Sequence, residues 1–235
     1  MVQQLLPGVQ LSDTADFPSF LAADNIELVQ LLQQIPTAAR NEPNVFISAA
    51  AGSGKTHLLQ ASCRQAQQAG WSAFYLPLEI IDTMEPEVLN GLENFQLVCL
   101  DDVETIAGSQ DWEEALFHCF NRLQSSGSML IVSSHEAPAQ LPIQLADLKS
   151  RLEWGLLYHI KTLTDQQRIQ ALQLRAHLRG FKLPEKTANF LLTRMPRDMA
   201  TLFEMLDTLD TASLSEQRKL SIPFVREVLA GGVGP

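Results

Sequence analysis

Ala49-Ala50-Ala51-Gly52-Ser53-Gly54-Lys55-Thr56 is the stretch on which the reading of this sequence turns. It follows a short apolar run, residues 45–49 (VFISA), that reads as a buried strand. It precedes residues 55–69, whose pattern reads as a helix closed by Gly70. Strand, glycine-rich turn and helix in that order are the context a phosphate-binding loop requires. Gly52 and Gly54 let the backbone aim its N–H groups at a phosphate, and the helix start adds a partial positive charge. Ser53 lies between them in the loop. Lys55 is expected to reach the β- and γ-phosphates, and Thr56 to bind Mg²⁺ through its hydroxyl. The usual pattern has glycine at the first position of such a loop, where this chain has Ala49.

Outward from the loop, residues 72–76, 96–100, 128–133 and 156–160 read as further strands. They alternate with predicted helices over 26–34, 85–92, 111–124 and 145–151. The clearest helix is 111–124, where Trp112, Leu116, Cys119, Phe120 and Leu123 form one apolar stripe. This alternation predicts an α/β fold with a five-stranded, mainly parallel sheet covered on both faces. After Lys161 the pattern becomes wholly helical. Thr164 and Gln167 fit a capping box for a helix running to about 179 and closed by Gly180. Pro184 and Pro196 are placed to open the next two helices, the second with Met199, Leu202, Phe203, Leu206 and Leu209 on its face. A last helix begins near Pro223. The expected organisation is an irregular tail over 1–24, a nucleotide-binding domain over 25–161 and a small all-helical domain over 162–235.

Three further features accompany the loop. Asp101 and Asp102 end the apolar run 97–100, so both carboxylates fall at the sheet edge that carries the loop. Asp101 is expected to hold Mg²⁺ and Asp102 to polarise an attacking water. Ser134, with Ser133 and His135 beside it, ends the fourth strand, where a polar group reaches a γ-phosphate or orients water. Arg151 and Arg197 are candidate phosphate sensors. Arg197 is placed in the first turn of a helix, where an anionic ligand or neighbouring Asp198 would offset the unfavourable dipole.

The chain has 235 residues with 17 basic and 27 acidic side chains, a net charge of −10. Such a balance argues against a surface that clamps duplex DNA, since phosphate contacts need cations. The charge is uneven: residues 1–149 carry 5 basic and 18 acidic groups, residues 150–235 carry 12 and 9. With 46% hydrophobic residues the chain is expected to fold. No apolar run is long enough to span a membrane and no secretory signal is legible, so a cytoplasmic location is expected. Cys63, Cys99 and Cys119 lack zinc-type spacing. His57, His118, His135, His159 and His177 form no ligand pair at helical spacing.

Taken together, these residues resemble the AAA+ family of the bacterial replication initiator DnaA and its shorter regulatory homologues. The resemblance runs through Gly52-Ser53-Gly54-Lys55-Thr56-His57-Leu58, Asp101-Asp102 and residues 117–123. It continues through residues 148–156, similar to the segment with the arginine finger, Arg197-Asp198-Met199, similar to sensor 2, and 222–229, similar to the end of the lid. It implies an AAA+ P-loop NTPase with a helical lid, binding ADP or ATP with Mg²⁺. It brings His57 into the nucleotide-binding set and makes Arg151 an arginine finger acting in trans. The match ends six residues before Pro235 without a helix-turn-helix domain, so contact with DNA is expected only indirectly. Gln3-Gln4-Leu5-Leu6-Pro7 is similar to a sliding-clamp docking peptide, with Gln3, Leu5, Leu6 and Pro7 as its anchors. Partners implied are DnaA and the DNA polymerase sliding clamp; a homo-oligomer is left undecided. The implied role is negative regulation of initiation: with the DNA-loaded clamp, stimulation of ATP hydrolysis by DnaA. Its own hydrolysis is expected to be weak, since Ala49, Asp102 and His135 depart from a generic ATPase site. The alternatives are a stand-alone ATPase such as a helicase loader, and a nucleotide-dependent scaffold without catalytic effect.

Overall fold

The computed structural model describes residues 11–12, 14–36 and 44–231. Five strands form one parallel sheet: β1 (Asn44–Ser48), β2 (Ala73–Pro77), β3 (Leu97–Asp101), β4 (Met129–Ser134) and β5 (Leu156–His159). Their order is β2-β3-β4-β1-β5. β1, β3 and β4 are buried along their whole length, as expected of strands covered on both faces. At the edge, β5 alternates half-buried with exposed residues. The sequence thus predicts the sheet correctly, with strand ends shifted by one residue.

Helix α1 (Ile26–Gln34) precedes the first strand, and α2 (Lys55–Gln68), α3 (Gln110–Ser126) and α4 (Ala146–Glu153) lie between strands. Alternate strand residues Phe46, Leu76, Leu100 and Val132 pack with Trp112, Leu116 and Phe120 of α3 and Leu148 of α4 in one core. The apolar stripe read on α3 is this core face. The helix expected over 85–92 is absent; short 3-10 turns occupy Leu78–Thr83, Pro86–Leu89 and Leu92–Asn94. Asn90 is extended and Gly91 takes a left-handed φ of 84°, so an α-helical ladder cannot run through. Glu113, on α3, is a buried carboxylate (1% exposed) that accepts from the backbone N–H groups of Gly108, Gln144 and Leu145. It thereby ties α3 to the start of α4.

The described residues separate into two compact units, one up to Phe20 and Asn25–Lys161, the other Leu21–Asp24 and from Thr162 onward. The second unit contains α5 (Asp165–Leu178), α6 (Glu185–Arg194), α7 (Met199–Glu216) and α8 (Ile222–Leu229). The capping box of Thr164 and Gln167 is formed. Asp24 belongs here because Gln167 Nε2 donates to its carboxylate at 3.1 Å. Pro184 is the N-cap of α6, one position before its expected place. Pro196 lies outside α7, which Asp198 caps. Leu172, Leu191, Leu202, Leu206, Leu209 and Phe224 form an apolar core. No helix among the described residues is long and apolar enough to cross a membrane.

Candidate nucleotide site

The carboxyl ends of β1, β3 and β4 lie side by side, which is where open parallel sheets bind ligands. β1 runs into the loop, and Ala49 N donates to Ser134 O at 3.0 Å, pinning the loop to β4. Ala49 is fully buried and is not among the residues with positive φ, so this position does not demand glycine. Gly52 and Gly54 do need their freedom, with φ of 72° and 93°. Gly54 is the N-cap of α2 and supplies no capping side chain, and no acidic residue lies in the first turn. The first N–H groups of α2 are therefore left for a ligand, as an anion site needs.

Lys55 opens α2 and is only 5% exposed. Its ammonium donates to Ala49 O at 3.2 Å and lies 3.5 Å from Asp102 Oδ1. Thr56 is exposed on the first turn. His57 Nε2 lies 2.8 Å from Asp16 O and 3.3 Å from Ser19 Oγ, and its ring lies 5.7 Å from that of Phe20. A Cβ on Gly54 would come within 2.7 Å of Phe20 Cε2. Residues 16–20, read from sequence as irregular, thus form a short 3-10 turn against the loop. The signal for it was Asp16 before Phe17-Pro18-Ser19: the Asp16 side chain accepts from Ser19 N, with proline early in the turn.

The acidic pair divides its duties differently from the sequence expectation. Asp101 is 2% exposed; Tyr75 Oη donates to its Oδ2 at 2.8 Å, and Ser133 Oγ donates to its Oδ1. Both oxygens are engaged inside the sheet, so the carboxylate expected to face a metal faces Tyr75 and Ser133. Burial, and then the Asp101 charge, raise the Tyr75 phenol far above its ordinary range, keeping it a neutral donor. Asp102 leaves the strand with a left-handed φ of 56°. Its N–H donates to Ser133 Oγ at 2.9 Å, and its carboxylate turns to Lys55. Asp102 Oδ1 is buried without a hydrogen-bond donor; the 3.5 Å approach of Lys55 is an ion pair and not a hydrogen bond. Burial first, then Asp101, push the Asp102 carboxyl above its ordinary value against the pull of Lys55. Tyr75 was not foreseen, because its role depends on β2 and β3 pairing Tyr75 with Cys99 in register.

Ser134 is fully buried, and its hydroxyl accepts from Glu136 N at 3.2 Å. Its side chain shapes the turn after β4, while its carbonyl holds Ala49. Beyond it, His135 Nδ1 lies 2.5 Å from Glu104 Oε1.

Arg151 lies in the last turn of α4. Its guanidinium sits 6.0 Å from the centre of the Phe120 ring, and Nη1 reaches Gln124 Oε1 at 3.5 Å. No hydrogen bond or ion pair joins it to Lys55, Asp101 or Asp102, and no carboxylate pairs with it, among the described residues. Trp154 beside it is 44% exposed. Arg197 precedes Asp198, the N-cap of α7, and so lies outside the helix, not in its first turn. Its side chain is 66% exposed and 3.4 Å from Asp165. The stretch Gln3–Pro7 lies outside the described residues.

The family model of the bacterial DnaA ATPase domain matches residues 11–159, and that of the Hda lid domain matches residues 165–229. The chain is similar to domain III of the replication initiation protein DnaA of Thermotoga maritima, at 22% identity and a TM-score of 0.81 over 97% of this chain and 100% of that one. It is similar to AMPPCP-bound DnaA from Aquifex aeolicus at 22% identity and a TM-score of 0.71, covering 89% of this chain and 71% of that one. A more distant likeness is the Thermotoga maritima RuvB Holliday junction branch migration motor, at 13% identity and a TM-score of 0.66, covering 90% of this chain and 69% of that one. The likenesses establish a common fold: a parallel sheet with a phosphate loop, followed by helices.

Proposed function

The chain belongs to the bacterial DnaA ATPase-domain family and carries an Hda-type lid, and on that premise we propose that it is a nucleotide-bound negative regulator of replication initiation. In this reading it acts with the DNA-loaded sliding clamp and stimulates ATP hydrolysis by DnaA. The observation that carries it is Arg151. This arginine lies over Phe120 and reaches Gln124, and among the described residues it has no carboxylate partner and no hydrogen bond to the chain's own phosphate loop. A guanidinium so placed suits the γ-phosphate of a neighbouring molecule, where an arginine finger is worth about 10³–10⁵ in rate.

The resident ligand is proposed to be ADP or ATP, as AMPPCP is bound by the related DnaA structure. Gly52, Ser53, Gly54 and the start of α2 would cradle its phosphates, and Lys55 would exchange Ala49 O and Asp102 for phosphate oxygens. His57 supports the loop through Asp16 and Ser19. Mg²⁺ fits the donor set: the Thr56 hydroxyl is exposed, and the buried Asp102 Oδ1 has no donor of its own. When bound it would neutralise phosphate charge. Asp101 serves that set by holding Ser133, which in turn holds the Asp102 backbone. Arg197 is proposed to reach the nucleotide from the lid, leaving its exposed pair with Asp165. Asp102 is engaged by Lys55, which makes it a poor water activator and fits the weak intrinsic hydrolysis expected from the sequence. Docking of Gln3–Pro7 on the clamp, indirect association with DNA and self-association are parts of the same proposal.

A coupled hydrolysis assay with and without DnaA and DNA-loaded clamp tests it. Stimulation should require all three components and should vanish in Arg151→Ala, with nucleotide binding retained. Full stimulation by Arg151→Ala rejects the reading. Substantial turnover by the chain alone favours a stand-alone ATPase such as a helicase loader. Recruitment of DnaA without stimulation favours a scaffold. Deletion of the first seven residues should abolish clamp binding.

A further inference from the structure

We infer that the face shared by α6 and α8 is a docking surface for an acidic peptide segment of a partner protein, held by Arg194 and Arg226. Most arginines of the lid already have an acid. Arg168 and Arg197 pair with Asp165, Arg175 and Arg179 with Asp207, and Arg218 with Glu216 and Glu227. Arg194 and Arg226 are the remaining two. Among the described residues neither has a carboxylate partner or donates a hydrogen bond, and each lies over the same ring. The Arg194 guanidinium is 5.6 Å from the centre of Phe190, and that of Arg226 is 5.3 Å from it. Phe190 and Arg194 are one turn apart on α6 and so share a face, and α8 packs beside α6 and brings Arg226 to it. With Leu229 and Ala230 they line an open pocket of about 310 Å³. Lys186, exposed one turn before Phe190, adds a third cation to that face.

Attraction to the ring accounts for one arginine there. It does not account for two, since like charges gathered at one ring repel each other. Glu227, next to Arg226 in the chain, is taken by Arg218 at 2.6 Å. An anion between the two guanidiniums removes the repulsion, and their planar forks suit a carboxylate. The chemistry favours a peptide over a nucleic-acid strand. A surface that tracks a strand offers aromatic faces on which bases stack. Here the Phe190 ring is engaged by the lid core and by both guanidiniums. Leu229, 36% exposed, supplies an apolar contact that a peptide side chain matches and a phosphate does not.

The surface does not rest on the functional reading above, because it uses neither the phosphate loop nor Arg151. The test uses the full chain and a fluorescein-labelled peptide of glutamates interrupted by single leucines, followed by fluorescence anisotropy. Saturable binding of one peptide per chain is expected. Arg194→Gln and Arg226→Gln should each weaken it, and the double variant should weaken it at least about tenfold, the scale of lost hydrogen bonds to charged groups. Lys182→Gln removes an exposed lid cation outside the pocket and should leave binding unchanged. Both arginines are exposed, so the variants should keep the wild-type circular dichroism spectrum. The inference is overturned by the absence of saturable binding, by equal affinity in wild type and the double variant, or by an equal loss in Lys182→Gln. It is also overturned if a thymidine oligonucleotide of the same charge binds more tightly than the peptide and the double variant loses that binding, which would make the face a nucleic-acid contact.

Discussion

In the sheet unit, the buried side chains Ser48, Lys55, Asp101, Ser133 and Ser134 crowd the ends of three strands, whereas in the lid Thr187 alone among the described residues is a buried polar side chain. Thr187 merely donates to Leu220 O. The lid pairs most of its charges near the surface, Arg179 with Asp207 and Arg218 with Glu216 and Glu227, while Arg175, 13% exposed, packs over Phe203 and approaches Asp207 at 3.7 Å. Exposed pairs of this kind add little stability, so the lid stands mainly on its apolar core. The strand ends do the reverse. They keep a buried ammonium and glycines at positive φ, each unfavourable for folding and useful for holding an anion, beside a buried carboxylate oxygen without a donor. One unit is organised by packing, and the other trades stability for chemistry.

The largest test of that contrast is Phe224→Ala, which removes a fully buried ring from the lid core. A loss of about 3–5 kcal/mol is expected. Hydrogen exchange should show it in α5–α8, with amides of β1, β3 and β4 protected as before. Equal loss of protection in the sheet would break the contrast.

Lys55→Ala probes the opposite unit and should be read in binding. Removing a buried charge that pairs with phosphate weakens binding by about 2–5 kcal/mol, roughly 30- to several-thousand-fold in Kd. Calorimetric titration with ADP and ATP measures it. Unchanged affinity would mean that the ammonium, already held by Ala49 O and Asp102, never leaves them.

The same contrast explains what was legible beforehand. The lid is a matter of local period and caps, so Thr164 with Gln167 and the face of α7 could be read directly. So could the strands and the loop, because an apolar run followed by Gly52-Ser53-Gly54-Lys55-Thr56 is a local signal. What escaped depends on pairing between distant segments. Tyr75 and Ser133 occupy Asp101 only because β2, β3 and β4 are neighbours. With both Asp101 oxygens engaged, it is the Asp102 carboxylate that turns toward Lys55 and the loop. Nothing local to the sequence marks Glu113 for burial; its three backbone donors come from two turns distant from one another. His135 offered no local signal, since its partner Glu104 follows the neighbouring strand. Arg197 was misplaced because the helix starts three residues later than expected, at Met199 behind the Asp198 cap and not at Pro196.

Two glycines sharpen the contrast with smaller effects. Gly54 and Gly180 share a left-handed backbone, with φ of 93° and 85°. Alanine at either should destabilise by about 1–2 kcal/mol through backbone strain. At Gly180 nothing lies within 4 Å of the added carbon, so strain is the whole effect. At Gly54 the methyl group also meets Phe20. Thermal melts should therefore show the greater loss for Gly54→Ala, and nucleotide affinity should fall in that variant only. Equal losses in both measurements would deny residues 16–20 any part in shaping the loop.

The smallest effect concerns two carboxyls that the units pull in opposite directions. Burial raises Asp102. Asp198, at the start of α7, is lowered from 3.8, chiefly by the hydrogen bond it accepts from Thr201 N at 2.8 Å. A carboxyl whose folded pKa is depressed contributes stability that is present above its unfolded pKa. That contribution is lost as pH falls through the folded pKa. Asp198→Ala should therefore cost the lid about 0.5–2 kcal/mol at neutral pH, measured by urea unfolding. The difference from wild type should shrink in acid, below the ordinary carboxylate range. Asp198→Asn keeps an acceptor for Thr201 N and removes the charge. It should lie between wild type and Asp198→Ala at neutral pH and lose only the part of the pH dependence that Asp198 supplies. A pH dependence identical in wild type and Asp198→Asn would show that the cap works through its oxygen alone, and that neither the helix dipole nor the charge matters at α7.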